Sequence, residues 1–136
     1  MNIGSIKWPS ERRSAINLYL GFLIEVVETL GLKFSSSGPA PLATAKDYIS
    51  GALSEKEYRV AANLWWGYLD GKDAVRDFQS EDALTARIAI CLLSVTLDEK
   101  EELGEHLSWF FEMLEQLGFT LDKPIEMMGD YFVFEE

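Results

Sequence analysis

The stretch from Ser80 to Val95, SEDALTARIAICLLSV, decides the fold class. Its segment 88–93 is apolar on every side of a helix, which is typical of a helix buried all round. Ser80 suits the N-cap position, and the acids Glu81 and Asp82 suit the positive end of a helix dipole. The sequence therefore predicts a central helix over 80–95.

A second helix with little polar surface is predicted upstream, from about Ser10 to Leu30. Its apolar residues recur at spacings of three and four and form two rows, so that only a narrow strip stays polar. Ser10 is the predicted N-cap, and Gly31 is predicted to end the helix. Because two apolar rows leave this helix mostly surrounded, we expect it to pair with helix 80–95 at the centre.

Two outer helices are predicted between these segments. Small residues and two prolines in 35–41 mark a loop, and a short helix from about Leu42 to Leu53 follows it. The next helix begins at Ser54-Glu55-Lys56-Glu57, a capping box in which each side chain accepts the other residue's backbone N–H. It ends at Asp70-Gly71, and its apolar residues predict one buried face.

The remaining segments complete the predicted fold. A short helical turn is expected around 74–78, a longer helix from Asp98 to Leu117, and a short helix over 124–128. The apolar segment 131–134 is expected to pack back as a docked end or a lone strand. Residues 1–136 are thus predicted to form a single all-α domain, a compact bundle of five or six helices with a short docked C-terminal tail.

The acidic residues are concentrated at the C-terminal end. Segment 98–136 holds 12 acidic and 2 basic residues, whereas the first 69 residues hold 6 and 7, in a chain of net charge −11. Such an asymmetry bears on association and solubility and does not select a fold. The acidic balance argues against binding to nucleic acid or to anionic lipid, since both repel it.

Cys91 is the only cysteine, which excludes an internal disulfide and fits a reducing compartment. Its apolar neighbours predict a buried, inert thiol. No stretch reaches the ~18 uncharged apolar residues that a membrane span needs, so a soluble, cytoplasmic protein is expected. Arg87 interrupts the apolar helix, and its side chain either extends to the surface or pairs with an acid from another segment.

Motifs for catalysis or metal binding are missing from the sequence. His106 is the only histidine, which excludes the zinc motifs built on several histidines and cysteines. Glu102 lies four residues before His106, a spacing typical of a surface ion pair. Carboxylates are too numerous for one pair to stand out, and an all-carboxylate magnesium or calcium site around 70–77 is left open. The sequence assigns no catalytic residue, cofactor or metal ligand.

The residues that best fit a binding surface combine tryptophan with charge. Trp109 lies on the same predicted helix stripe as Glu102, Glu105 and Glu112, and Trp66 lies on the polar side of helix 54–70. Buried aromatic anchors carry much of the energy of protein interfaces. The alternative is that each tryptophan packs at the edge of the core with its N–H in water.

The favoured function is stoichiometric, non-catalytic binding of a basic protein partner. A small acidic protein without chemistry of its own fits an immunity-type inhibitor that neutralises a toxin or an enzyme. The composition also resembles that of small acidic secretion chaperones. A small enzyme that uses carboxylates and a divalent metal is the alternative from another class, and a homodimer through Trp66 or Trp109 is a further one.

Overall fold

The computed structural model describes residues 3–34, 39–71, 80–95 and 103–134. Within these ranges the chain forms six α-helices, a short 3₁₀ turn and one isolated β-bridge. The helices are α1 (Arg12–Leu30), α2 (Pro41–Ser50), α3 (Glu55–Gly71), α4 (Glu81–Leu93), α5 (Leu103–Gln116) and α6 (Asp122–Tyr131). The predicted all-α bundle is confirmed. The helical turn expected around 74–78 and the helix start expected at Asp98 lie outside the described residues.

The two helices with the least polar surface, α1 and α4, form the centre of the bundle, as predicted. α1 contacts α2, α4, α5 and α6, and α4 contacts α1, α2, α3 and α5. From Ala83 to Leu93 every residue of α4 is buried except Thr85. Apolar side chains on all sides therefore lead to burial on all sides, because any exposed side would leave hydrocarbon in water.

The remaining helices lie on different sides of this centre. α3 packs on α2 and α4, α5 packs on α1 and α4, and α6 packs on α1. Among the described residues, α3 and α5 make no contact with each other. Any surface on α3 is thus separate from any surface on α5.

Side-chain caps fix two of the helix starts that the sequence predicts. The Ser54 hydroxyl accepts the Glu57 N–H at 3.1 Å, and the Glu57 carboxylate accepts the Ser54 N–H at 3.3 Å. Ser80 caps α4 by accepting the N–H three residues on, at 3.2 Å. The prediction for α1 was wrong by one residue, because Glu11 and not Ser10 is the N-cap, and its side chain makes no capping bond.

The C-terminal tail docks on the bundle, as expected. Tyr131 is the last residue of α6 and does not begin a strand, so the final helix is longer than predicted. The Phe132 ring is buried, with its centre 5.0 Å from that of Phe22. Phe134 forms the isolated antiparallel bridge with Ile6. The two ends of the described chain are therefore held together on the same side of α1.

Arg87 is the buried charged residue of α4. It is only 3 % exposed, so the alternative in which its side chain reaches the surface is wrong. Its charge lies close enough to the Cys91 thiol to act on it electrostatically. Cys91 itself is buried, which confirms the expected apolar setting.

Candidate functional site

The acidic stripe predicted on the fifth helix is present on α5. Glu105 and Glu112 are both exposed, and their spacing of seven residues places them on the same side of the helix. Trp109 lies beside them, half-buried, with part of its ring against the core. Glu102, the remaining acid of the predicted stripe, lies outside the described residues. We call Glu105, Trp109 and Glu112 the α5 face.

The opposite side of α5 fixes the direction in which this face points. Leu107, Phe110 and Leu114 are fully buried, at the spacings of three and four that define one side of a helix. The Phe111 ring meets the Phe22 ring of α1 edge-on, with ring centres 6.1 Å apart. Because these side chains cannot leave the core without losing a large apolar contact, the α5 face is held outward.

Negative charge extends from α5 to α6. The two helices together carry six acidic residues and one lysine, and all six acidic residues are exposed. The Lys123 ammonium lies 3.9 Å from the Glu126 carboxylate, and both side chains are more than half exposed. Exposed pairs of this kind contribute little to stability, so these charges are available to act on an approaching molecule.

The pKa of Tyr131, at the end of α6, responds to nearby negative charge. Its hydroxyl donates a hydrogen bond to the Glu25 carboxylate of α1. Burial, the hydrogen bond to Glu25, and the negative charges of Glu25 and Asp130 together raise the pKa of Tyr131 to about 12. Ionisation of this phenol would add one more negative charge beside two carboxylates.

Trp66 lies on α3, away from the α5 face. It is 39 % exposed, whereas its neighbour Trp65 is 1 % exposed, which agrees with the predicted polar side for Trp66. Since α3 and α5 make no described contact, the structure brings together Glu105, Trp109 and Glu112 but not Trp66.

His106 and Cys91 are the single histidine and the single cysteine of the chain. The ring of His106 lies against Tyr19, with ring centres 6.3 Å apart. Burial raises the pKa of the Cys91 thiol far above its ordinary value, which keeps this thiol protonated at neutral pH. Within residues 3–34, 39–71, 80–95 and 103–134, no three side chains of His, Cys, Asp or Glu come together as a metal site.

An apolar surface on α3 was not predicted. Val60 and Leu64 are about half exposed, at 49 % and 52 %, and they border an open groove of about 600 Å³. Their spacing of four residues was visible in the sequence and places both on one side of α3. It could not show that no neighbouring helix covers that side.

Comparison of the chain with protein-family models, with curated proteins and with solved structures finds no match. None of the helices in the described ranges combines the length and the hydropathy that crossing a membrane requires.

Proposed function

We propose that this chain is a non-catalytic binding protein whose α5 face engages a basic protein partner. The observation that supports this most is the placement of two exposed carboxylates, Glu105 and Glu112, around the half-buried Trp109. A tryptophan whose ring is already fixed by the core loses little conformational freedom on binding, which favours its use as an anchor.

The surrounding charge supports a basic partner. The acidic residues of α5 and α6 are all exposed and produce a negative field, and such a field steers positively charged proteins toward it. The two carboxylates of the α5 face would pair with lysine or arginine side chains of the partner, while Trp109 would pack on its apolar surface. An immunity-type inhibitor that neutralises a basic toxin or enzyme in equal stoichiometry fits this surface best.

The experiment begins with affinity capture from native lysate at low salt, followed by measurement of the dissociation constant for the captured protein by isothermal titration calorimetry. The test variant carries Glu105→Lys and Glu112→Lys. The matched control carries Glu126→Lys and Asp130→Lys on α6, where both residues are also exposed. Both variants change the net charge equally, so a difference between them reports on the α5 face and not on total charge.

We expect the α5 variant to weaken binding by at least about tenfold, and Trp109→Ala to do the same, whereas the α6 control weakens it by less than about threefold. Binding should also weaken as salt rises, because salt screens the attraction. Equal losses in the two charge variants, or tight binding by Trp109→Ala, would show that this face does not carry the interaction.

A further inference from the structure

The outward side of α3 carries exposed apolar side chains that no other described helix covers. Among the five large hydrophobic side chains exposed in the described residues, three lie on this helix: Val60, Leu64 and Trp66. The buried residues of α3, among them Trp65 and Leu69, lie on its other side, and the helix packs on α2 and α4. Val60 and Leu64 are four positions apart and lie on one side of α3, and exposed apolar side chains that share a helix side are typical of an interaction surface.

A groove runs beside this face. It has a volume of about 600 Å³, and its apolar walls include Leu53, Val60, Ala61 and Leu64. Leu64 thus both projects from the helix and borders a depression. A surface that holds a projection next to a depression can be complementary to a second copy of itself.

Gly67 is a residue of this helix that its packing against the described residues does not explain. It lies in the interior of α3, where glycine weakens a helix relative to alanine. A Cβ atom added at Gly67 would meet no atom within 4 Å. Among the described residues, the missing side chain therefore makes room for no neighbour, but it leaves space for the close approach of another backbone.

The charges of α3 also select the occupant. This helix carries three acidic and two basic residues, in contrast to the strongly acidic α5 and α6. Lys56 and Asp70 are exposed near its opposite ends. Their 14 positions of separation correspond to roughly 21 Å along a helix, so they cannot pair within one protomer. When two α3 helices run antiparallel and cross near Asn63, Lys56 of each lies beside Asp70 of the other.

We propose that α3 is a self-association surface through which two copies of this chain form an antiparallel, two-fold symmetric dimer. Leu64 of each copy enters the groove of the other, Gly67 allows the two backbones to approach, and Trp66 lies at the edge of the contact. A net charge of −11 makes two copies repel each other, and the mixed charges of α3 make this side a less unfavourable approach than the acidic α5 or α6. Because a single pair of helices buries a small area, the dimer is weak, with a dissociation constant on the order of 10–100 µM.

The test is sedimentation velocity on the full chain over a range of roughly 5–500 µM, chosen to bracket the expected constant. Wild type should pass from monomer to dimer, and Leu64→Glu should weaken the dimer by at least about tenfold. Ile125→Glu is the matched control, since Ile125 is exposed to a similar extent, 42 %, on α6. It should change the constant by less than about twofold, the scale of a surface position outside the contact. A monomer at every concentration, or equal effects of the two variants, would overturn the proposal.

The antiparallel register is tested by exchanging charges. Lys56→Asp and Asp70→Lys should each weaken the dimer by about threefold, because each places two like charges together. The double variant restores opposite charges and should return the constant to the wild-type value. Since the two positions are too far apart to meet within one protomer, rescue can come only from contact between copies. Failure of the double variant to rescue would rule out this register.

Gly67→Ala separates the dimer contact from the stability of the protomer. It should raise the midpoint of thermal unfolding of dilute protein, because alanine favours a helix, and yet weaken the dimer about fivefold by inserting a methyl group.

Higher salt should strengthen the dimer by screening the repulsion between copies, whereas it weakens binding of a basic partner at the α5 face. The two proposals can therefore fail independently.

Discussion

The α3 side and the α5 side of the bundle are built on the same plan but expose different chemistry. Each helix buries one apolar side against α4 and carries a tryptophan beside its outward face, Trp66 on α3 and Trp109 on α5. On α3 the outward face is aliphatic with charges of both signs, and on α5 it is acidic. Burial thus determines which residues occupy the inward half of each helix. The outward half is free to differ, and it is aliphatic on α3 and acidic on α5.

The two helices are also anchored in different ways. On α3, aromatic side chains donate hydrogen bonds to other segments: Tyr58 to the Leu92 carbonyl at 2.7 Å, Trp65 to the Pro39 carbonyl at 2.9 Å, and Tyr68 to the Asp82 carboxylate at 2.8 Å. On α5 the contacts that fix its direction are apolar, as in the Phe111 and Phe22 rings. Directional bonds hold α3 in register, whereas α5 depends on the fit of its buried rings.

The adjacent tryptophans of α3 provide the largest expected effect. Trp65→Ala should lower the free energy of unfolding by about 3–5 kcal/mol, because it empties a buried site and removes the hydrogen bond to Pro39. Trp66→Ala should cost about 1 kcal/mol or less, since its ring is partly exposed. Urea unfolding followed by circular dichroism measures both. Similar losses in the two variants would mean that α3 does not have one inward and one outward side.

Two buried tyrosines test the difference in anchoring. Tyr58→Phe should lower the free energy of unfolding by about 1–3 kcal/mol, because the Leu92 carbonyl and the Val95 N–H, 3.4 Å from the hydroxyl, lose their bonds to Tyr58. Tyr19 lies next to His106 of α5, and its buried hydroxyl has no hydrogen-bond partner among the described residues. Tyr19→Phe should therefore leave stability unchanged or raise it by up to about 1 kcal/mol.

Urea unfolding followed by circular dichroism also measures the stabilities of the two tyrosine variants. Both substitutions remove one hydroxyl oxygen from a fully buried ring, so each serves as the control for the other. A loss for Tyr19→Phe as large as that for Tyr58→Phe would contradict the distinction between a bonded anchor on the α3 side and apolar packing beneath α5.

The inward halves of these helices were predictable because they depend on spacing along one helix. A turn of 100° per residue separates Trp65 from Trp66, and the Ser54–Glu57 capping box is a local pattern of hydrogen bonds. The shared side of Glu105, Trp109 and Glu112 follows from the same geometry. These features need no knowledge of what lies across the core.

The features that escaped prediction depend on neighbours distant in sequence. Val60 and Leu64 have the spacing of a buried pair, and only the arrangement of the other helices leaves them uncovered. The central position of α4 was predictable, but whether the Arg87 side chain reaches the surface depends on the helices packed around α4, and a single helix pattern cannot show this. The affinity of the α5 face for a partner is not encoded in spacing at all, because it depends on the shape and charge of a second molecule.

The smallest expected effect concerns Tyr131 and separates the influence of charge from that of burial. Its pKa is raised from the ordinary value near 10 to about 12. The folded state therefore holds this proton more tightly than the unfolded state, and the resulting stability is fully present below pH 10 and is lost as pH rises toward 12. The phenolate absorbance that distinguishes wild type from Tyr131→Phe should show this ring still mostly protonated at about pH 11.

Added salt should affect the tyrosine pKa values on the two sides of the molecule differently. The charges of Glu25 and Asp130 contribute to the raised pKa of Tyr131, so added salt should lower this pKa. Glu25→Gln should lower the pKa of Tyr131 further, because it removes a negative charge and replaces a charged hydrogen-bond acceptor with a neutral one. Burial is the main cause for Tyr58 on the α3 side, so salt should leave its raised pKa in place. A Tyr131 pKa near 10 that does not respond to salt would show that the acidic side exerts no such field.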